Sequence, residues 1–379
     1  MIYLDHAATT PIDPSVLSVM EEINRSCFAN PSSIHSSGQK SKVLIENSRK
    51  TVAHSIGAKA GEIVFTSGGT EANNLSLIGA ARANRDKGNH IITSKIEHPS
   101  VLEACKYLSE NGFRISYIDV DSTGLLDLRQ LEKFICKETI LISMMMVNNE
   151  TGCLLPIKNI GQILKDKQII FHSDAVQAFD KIDITVNELN IDLLSLSSHK
   201  IYGPKGCGAL FIRQGTEIES ILYGGAQEAS RRPGTENLLA IAGFAEAVNQ
   251  MQYHKNRRKT VRLLGDLFEE KLTDTFPNLE INGEKVPRAP GYSNIYFPFM
   301  PGDSLLMNLD LHDIAVSTGS ACSSGSQKPS HVLQAMGFDG ERINNSVRFS
   351  LGRDTTEEEI LNTIEVLKII YEKAVKNTS

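Results

Sequence analysis

Short apolar runs alternate with helix-like segments through the middle of the chain. Because these runs are apolar at nearly every position, they are typical of strands buried on both faces. Strands that alternate with helices predict βαβ units and a mainly parallel sheet with helices on both sides. The predicted strands cover residues 62–66, 90–93, 114–120, 140–147, 169–172, 193–196 and 209–213, and the predicted helices between them cover 70–82, 99–111, 125–135 and 157–165.

The pattern changes in the last third of the chain. Residues 236 to about 272 are helical in pattern, and after them short apolar runs such as 293–297 and 347–351 are separated by Gly and Pro turns. This change of pattern predicts two domains. The large one covers residues 15–257, and a smaller α+β domain combines residues 1–14 with residues 258–379.

Composition excludes several classes of protein. The chain has 379 residues, of which 41% are hydrophobic and 22% charged, so disordered and fibrous proteins are excluded. A formal net charge of −6 gives no support for a nucleic-acid surface, and no basic run indicates an anionic membrane. The apolar run 140–147 is far shorter than the ~20 residues of a membrane span. Neither a basic segment nor a sustained apolar one follows Met1, so no signal peptide is expected.

The cysteines are too sparse for a disulfide scaffold, and no two of them lie within four residues of each other. A Cys-x-x-Cys metal or redox pair is therefore absent from the sequence. This usage predicts reduced thiols in a cytosolic protein, most of them small buried hydrophobes. The six are Cys27, Cys105, Cys136, Cys153, Cys207 and Cys322.

Cys322 stands apart from the other cysteines. It lies in a Ser/Gly-rich stretch, residues 316–329, that lacks apolar anchors and is typical of an exposed loop. Cysteine is usually buried, so this position contradicts a packing role. Because reactive cysteines are partly exposed thiols, Cys322 is a candidate nucleophile, and the alternative is a chance surface cysteine.

Residues 67–74, Ser-Gly-Gly-Thr-Glu-Ala-Asn-Asn, follow a predicted strand and open a helix. Backbone N–H groups in such a turn favour an anion, for example a phosphate. The lysine of a nucleotide-triphosphate loop is missing, and no Gly-x-Gly-x-x-Gly follows a strand elsewhere. The alternative is an ordinary strand-to-helix turn with Thr70 as its cap.

Other polar side chains also follow buried strands, where open α/β sheets bind ligands. Desolvation of Lys200 would make its amine nucleophilic, as Schiff-base chemistry requires, whereas a surface lysine would extend into solvent. Asp174 is placed either to hold a protonated pyridine nitrogen or to cap a helix. His172 and Asp174 also resemble a metal pair, but no third ligand is evident. His98 is a candidate acid/base or ring-stacking group, or a helix cap.

Arg348 lies on a predicted strand between apolar residues. An arginine there directs its planar guanidinium to one side, which suits bidentate binding of a carboxylate. The alternative is an arginine exposed on the strand surface.

Together these motifs resemble those of the cysteine desulfurases, which are pyridoxal-phosphate enzymes of the aminotransferase class V type. Ser-Gly-Gly-Thr-Glu-x-Asn-Asn, Asp-Ala-x-Gln, Ser-x-His-Lys and Ser-x-Gly-Ser-Ala-Cys occur here in the family's order, and the resemblance runs from Tyr3 to Arg348. The long cysteine loop followed by Ser-His-Val-Leu at 330–333 is similar to the group that serves iron–sulfur assembly and tRNA thiolation. The resemblance implies fold type I of these enzymes, with a mainly parallel central sheet in the large domain and a smaller α+β C-terminal domain.

The resemblance also implies site residues. Lys200 would bind pyridoxal 5′-phosphate, Asp174 would hold its ring nitrogen, His98 would stack on the ring and move protons, and Gln177 would bond the phenolic oxygen. Cys322 would accept sulfur. The remaining implied contacts are Gly69, Thr70, Ser197, His199 and a neighbouring protomer's Thr235 for the phosphate, and Asn149, Arg348 and Asn30 for the substrate carboxylate.

The expected reaction converts L-cysteine to L-alanine and leaves sulfur as a persulfide on Cys322. The expected partners are a second copy of the chain, in a cytoplasmic homodimer, and a sulfur acceptor, either an iron–sulfur scaffold or a tRNA-thiolation enzyme. No metal and no direct contact with nucleic acid or membrane are expected. Two alternatives are a related enzyme without a covalent sulfur carrier and an inactive docking partner. Lys200, Asp174, His98 and Cys322 together argue against the inactive partner.

Overall fold

The computed structural model describes residues 1–319 and 329–376. Most predicted strands are present, with ends shifted by one or two residues. The exception is the run 140–147, of which only the first part is strand. The strands are β1 (Ile2–Tyr3), β2 (Ile63–Thr66), β3 (His90–Ser94), β4 (Arg114–Ile118), β5 (Thr139–Ser143), β6 (Ile170–Asp174), β7 (Leu193–Ser197), β8 (Gly208–Ile212), β9 (Glu280–Ile281), β10 (Tyr292–Tyr296), β11 (Ile314–Ala315) and β12 (Ser346–Ser350).

Helices follow most of these strands. A π-helical turn over Leu75–Gly79 and a 3-10 turn over Ser198–Lys200 supplement them. No helix in the described part of the chain has both the length and the apolar character needed to cross a bilayer. The helices are α1 (Pro14–Ser26), α2 (Ser36–Ser55), α3 (Gly69–Asn74), α4 (Ala80–Ala83), α5 (Pro99–Glu110), α6 (Leu128–Phe134), α7 (Ile157–Leu164), α8 (Leu238–Tyr253), α9 (Arg257–Thr275), α10 (Gly302–Asp310), α11 (His331–Ala335), α12 (Gly340–Asn344) and α13 (Glu357–Lys376).

A seven-stranded sheet in the order β2-β8-β7-β6-β5-β3-β4 forms the centre of the molecule. Strand β8 is antiparallel to both of its neighbours, and the other neighbouring pairs are parallel. The predicted mainly parallel sheet is therefore confirmed. Because β8 reverses direction between β2 and β7, strand β2 points the same way as the parallel strands. The carboxyl ends of β2, β3, β5, β6 and β7 consequently share one edge of the sheet.

The long helical pattern after residue 236 is two helices, not one. Helix α8 packs against α1 and α2, whereas α9 packs against α13. Most of α8 is buried, but α9 is charged on the side away from its apolar stripe. The chain therefore turns at residues 254–256 because the two helices bury their apolar faces in different cores.

A second apolar core lies beside the large sheet. Its side chains are Leu4 and residues between Val261 and Ile370. It covers an antiparallel sheet in the order β12-β10-β9, while β1 pairs in parallel with β11. The N-terminal residues 1–14 contact this region through the N–H of Ile2, which donates to the carbonyl of Asp313 at 2.7 Å. The predicted domain boundary between residues 257 and 258 lies at the start of α9 and stays a prediction.

Helix α7 packs closely at Gly161 against the segment that precedes β7. A Cβ there would lie 2.0 Å from the carbonyl oxygen of Leu189. We expect Gly161→Ala to lower the free energy of unfolding by about 1–3 kcal/mol, because backbone must move to admit the methyl group. Gly340→Ala is the control, since a Cβ there meets nothing within 4 Å. Denaturant unfolding of both variants checks this, and equal midpoints would contradict the close packing.

Candidate active site

A cavity of about 200 Å³ lies at the sheet edge where the carboxyl ends of the strands meet. Residues 5–10, here called the N-terminal arm, form part of its wall through Ala7 and Ala8. The cavity brings together residues from strand ends that are far apart in sequence. Of the residues expected from the sequence, Gly69, Thr70, His98, Asn149, Asp174, Gln177, Ser197, His199, Lys200 and Arg348 line it.

Three expected residues are not among those that line this cavity. Asn30 is exposed, and its Oδ1 accepts the N–H of Ser32 at 2.9 Å. Thr235 is exposed and lines a different cavity of about 210 Å³ beside Arg232. Cys322 lies outside the described residues. The roles expected for these three residues stay predictions.

The amine of Lys200 is held against the N-terminal arm. Lys200 Nζ donates to the carbonyl oxygens of Ala7 at 2.6 Å and Ala8 at 2.7 Å. The arm is tied down next to it, because Thr10 N–H donates to the carbonyl of His199 at 3.0 Å. The 3-10 turn after β7 thus places a buried amine in the cavity with its hydrogen bonds made by backbone oxygens.

A hydrogen-bonded chain links Asp174 to His98 across the floor of the cavity. Asn73 Nδ2 donates to Asp174 Oδ2 at 2.7 Å and to Ser100 Oγ at 2.8 Å. The other carboxylate oxygen of Asp174 accepts the N–H of Val176 at 2.9 Å. Both oxygens of Asp174 are therefore fixed, and this carboxylate is held rigidly at the end of β6.

His98 caps α5 and presents its ring to the cavity wall. Its Nδ1 accepts the N–H of Ser100 at 3.1 Å and lies 2.8 Å from Ser100 Oγ. A nitrogen that accepts from a backbone N–H carries no proton, so the neutral ring has its proton on Nε2. Burial lowers the pKa of His98 below its usual value, while the charge of Asp174 raises it. The ring is consequently neutral at physiological pH, with Nδ1 committed to Ser100 and the proton on Nε2.

Gly69, Ser197 and His199 line another part of the cavity. A Cβ at Gly69 would lie 2.6 Å from Cγ2 of Val176, so only glycine permits this approach of the helix start to the loop after β6. Ser197 Oγ is buried and has no hydrogen-bond partner among the described residues. His199 Nδ1 lies 3.1 Å from the hydroxyl of Thr9. This part of the cavity offers backbone and hydroxyl donors suited to an anion.

Arg348 is buried on β12, and its guanidinium reaches the cavity. Nη1 donates to the carbonyl of Asn149 and Nη2 donates to Asp5 Oδ1, both at 2.8 Å. Two buried polar atoms here, Arg348 Nε and Asn149 Oδ1, have no hydrogen-bond partner in the described part of the chain. The arginine is thus held in place, and its Nε–H remains available to donate a hydrogen bond.

Two fully buried carboxyl groups lie beneath the site and were missed from the sequence. Burial raises the pKa of Glu97 to about 8, and its Oε1 accepts from Ser94 Oγ at 2.6 Å. Burial also raises the pKa of Glu150, whose carboxyl accepts the hydroxyl of Ser330. Glu97 therefore retains its proton well above the ordinary carboxyl range. The one feature of the sequence that points to Glu97 is its position directly before His98.

Asn73, Ser100 and Tyr292 were also missed. Asn73 lies in a motif quoted for the family but received no role, and Ser100 follows His98 by two residues. Tyr292 begins β10 in the smaller sheet, and its hydroxyl donates to Gln177 Oε1. No local pattern connects residues 177 and 292, because they meet only when the second core packs against the first.

His172 belongs to the core of the sheet. Its Nδ1 lies 2.8 Å from Ser143 Oγ, and its Nε2 lies 3.0 Å from Ser195 Oγ. Burial lowers its pKa to about 3, so the ring is neutral. The pairing of His172 with Asp174 has no third ligand: in residues 1–319 and 329–376 no group of three such side chains could hold a metal.

The buried cysteines in the described part of the chain are poor nucleophiles. Burial raises the pKa of the Cys207 thiol to about 12, and it raises the pKa values of Cys105 and Cys153 as well. Cys27 and Cys136 are half-buried, and neither is among the residues that line the cavity.

Comparison with known proteins places this geometry in context. Residues 2–362 match the family model described as aminotransferase class-V. The chain is 46% identical to the cysteine desulfurase IscS of Dictyoglomus turgidum over 98% of this chain and 95% of the relative. Among solved structures it is similar to a NifS-like protein, with a TM-score of 0.91 and 34% identity over 97% of this chain and 99% of the other. It is also similar to SspA in complex with cysteine, with a TM-score of 0.83 and 35% identity over 94% and 100%.

The buried Glu97 carboxyl makes stability depend on pH. Its pKa is about 8 in the folded chain against an ordinary 4.5, so between these values the folded state holds a proton that the unfolded state has lost. Stability from this group therefore falls as pH rises, by roughly 1.4 kcal/mol for each unit, and levels off above the folded pKa.

Glu97→Gln removes this dependence because the amide is neutral throughout. We expect the unfolding free energy of the variant, relative to the unsubstituted protein, to increase steadily from acidic to mildly alkaline pH. Glu132→Gln, which alters an exposed carboxyl on α6, is the control and should leave the pH dependence unchanged. Denaturant titrations at several pH values measure the effect, and parallel pH profiles for Glu97→Gln and the unsubstituted protein would contradict it.

Proposed function

Because the chain belongs to the class-V aminotransferase family and, within it, to the cysteine desulfurases, we propose that it converts L-cysteine to L-alanine and carries the released sulfur on Cys322. Its cofactor is pyridoxal 5′-phosphate. The observation that carries the proposal is one cavity that holds a buried amine, a fixed carboxylate, a neutral imidazole and a buried guanidinium. A solved relative described in complex with cysteine supports the choice of substrate.

The residues present fit this cofactor. The amine of Lys200 would bind its aldehyde carbon, and Asp174 would hold its ring nitrogen. The anion-suited part of the cavity, with Gly69, Thr70 and the unpartnered hydroxyl of Ser197, would take the phosphate. When bound, the cofactor withdraws electrons from the substrate's Cα and so acidifies the Cα–H bond. Asp174 maintains this effect by keeping the ring nitrogen protonated.

Arg348 and Asn149 orient the substrate. The guanidinium is already fixed by Asp5 and by the Asn149 carbonyl, so it binds the substrate carboxylate without losing much conformational freedom. Asn149 also lines the cavity, where its side-chain amide N–H would donate to the carboxylate. Binding there would place the substrate's amino group in the cavity that Lys200 also lines.

Lys200 and His98 handle protons. With the cofactor and substrate bound, the Lys200 amine would act as the base that removes the Cα proton. His98, neutral and fixed through Nδ1 by Ser100, is placed to exchange a proton with the substrate.

Cys322 receives the sulfur. Its thiolate attacks the substrate sulfur, an S–S bond forms, and the Cβ–S bond breaks. The electron pair of that bond stays on the substrate carbon, which takes up a proton and leaves as L-alanine. The poor nucleophilicity of the buried thiols Cys105, Cys153 and Cys207 supports this assignment. The persulfide then passes to an acceptor protein, an iron–sulfur scaffold or a tRNA-thiolation enzyme.

The proposal includes a homodimer in which Thr235 reaches the neighbouring protomer's phosphate. Exposed large apolar side chains support such an interface, since Phe28, Ile34 and Tyr223 are 82%, 94% and 88% exposed. Each of them lies within four residues of Pro31 or Gln227 in the sequence, and these two residues line one groove. The domain division at residues 257 and 258, a contact of Asn30 with the substrate carboxylate, and a cytoplasmic location, where a carrier thiol stays reduced, belong to the same proposal.

Arg348→Lys tests the carboxylate site. Lysine keeps the charge but loses the two-pronged donor geometry, so we expect the KM for L-cysteine to rise about 10- to 100-fold. The visible absorption of the bound cofactor should stay unchanged. Arg342→Lys is the matched control, because Arg342 pairs with Glu280 and does not line the cavity. An unchanged KM in Arg348→Lys would contradict the assigned role.

Cys322→Ser tests the sulfur carrier. We expect alanine production from L-cysteine to fall at least ~100-fold, because a serine hydroxyl is a far weaker nucleophile than a thiolate. The cofactor's absorption should persist, since Lys200 is intact. Cys27→Ser is the matched control and should leave turnover and persulfide formation unaffected. Desulfuration that continued in Cys322→Ser would show that another group accepts the sulfur.

A further inference from the structure

Tyr292 makes an unusual contact between the two cores. It starts β10, on the antiparallel sheet, and its hydroxyl donates to Oε1 of Gln177 in the large sheet's cavity. Gln177 Nε2 donates to the carbonyl of Ala7 at 2.9 Å. The Ala7 carbonyl only accepts hydrogen bonds, so the amide nitrogen must face the arm and the amide oxygen must face Tyr292. The tyrosine hydroxyl is therefore the donor.

The Tyr292 side chain is held firmly enough to act this way. It is 3% exposed, and burial raises the pKa of its hydroxyl, so the donated proton is retained. Gly152, at φ +74°, packs against it so closely that a Cβ there would lie 2.3 Å from the tyrosine Cβ. On another side the amine of Lys181 lies 5.7 Å from the ring centroid.

These contacts leave one N–H of Gln177 uncommitted. An amide nitrogen carries two protons, and only one of them is directed to Ala7. Gln177 lines the cavity, so the second proton is the group that it offers there. If the amide rotated by half a turn, its oxygen would face the cavity instead and would repel an anionic oxygen.

We propose that Tyr292 is a positioning residue that fixes the Gln177 amide as a hydrogen-bond donor toward the phenolic oxygen of the cofactor. The inference rests on the proposed function, because it presupposes that pyridoxal 5′-phosphate occupies the cavity. A donor at that oxygen stabilises its negative charge and weakens its hold on the proton shared with the Lys200 nitrogen. Tyr292 acts only through Gln177 and touches no reacting atom.

Tyr292→Phe removes one oxygen atom and keeps the ring. We expect the dissociation constant for pyridoxal 5′-phosphate to rise about 3- to 10-fold, as for the loss of one hydrogen bond. We also expect the pH midpoint of the bound cofactor's visible absorption change to move to higher pH by about half a unit to one unit. Tyr296→Phe is the matched control, since Tyr296 lies four residues along the same strand and its hydroxyl donates to Glu341 on the surface at 3.1 Å.

A double-mutant cycle separates positioning from general destabilisation. If Tyr292 acts through Gln177, then Tyr292→Phe adds less than about a 2-fold change in the Gln177→Ala background. The inference would be overturned if Tyr292→Phe had its full effect in the Gln177→Ala background. It would also be overturned if Tyr292→Phe alone left the pH midpoint of the cofactor's absorption unchanged. Thermal unfolding of each variant accounts for lost stability. Failure of the unsubstituted protein to take up absorbing cofactor would overturn the proposed function itself, which is a different result.

Discussion

The site depends on the two hydrogen bonds from the Lys200 amine to the backbone oxygens of Ala7 and Ala8. A buried amine is costly unless its protons are bonded, and here the partners come from the N-terminal arm. That arm is anchored to β12 of the smaller sheet, where His6 N–H donates to the carbonyl of Ser350 at 3.1 Å. The reactive end of the large sheet is therefore completed only when both cores have formed and packed together.

The other candidate reactive groups in the cavity are also held in place by hydrogen bonds. Each candidate reactive side chain is held by a second residue that does no chemistry. Asn73 holds Asp174, Ser100 holds His98, and Asp5 holds Arg348. Since these supports take up the hydrogen bonds facing the protein, each reactive group is left with one defined direction toward the cavity. Rigid support of this kind is what an enzyme needs for orientation of its substrate.

The sequence predicted the sheet and most of the cavity for a simple physical reason. Apolar strands mark buried positions, and a polar residue just after one, such as Lys200 or Asp174, must lie at the sheet edge. Long-range partners could not be predicted in this way. The carbonyls of Ala7 and Ala8 have no side-chain signal, and Tyr292 meets Gln177 from 115 residues away.

We propose that Lys200 is the residue that carries the cofactor. Reduction of the holoenzyme with borohydride turns the cofactor–lysine bond into a stable secondary amine, which peptide mass spectrometry then locates. We expect the phosphopyridoxyl mass on the peptide that contains Lys200 and on no other lysine. Labelling of Lys181 or Lys205 in its place, or no labelled peptide from a protein that absorbs visible light, would contradict it.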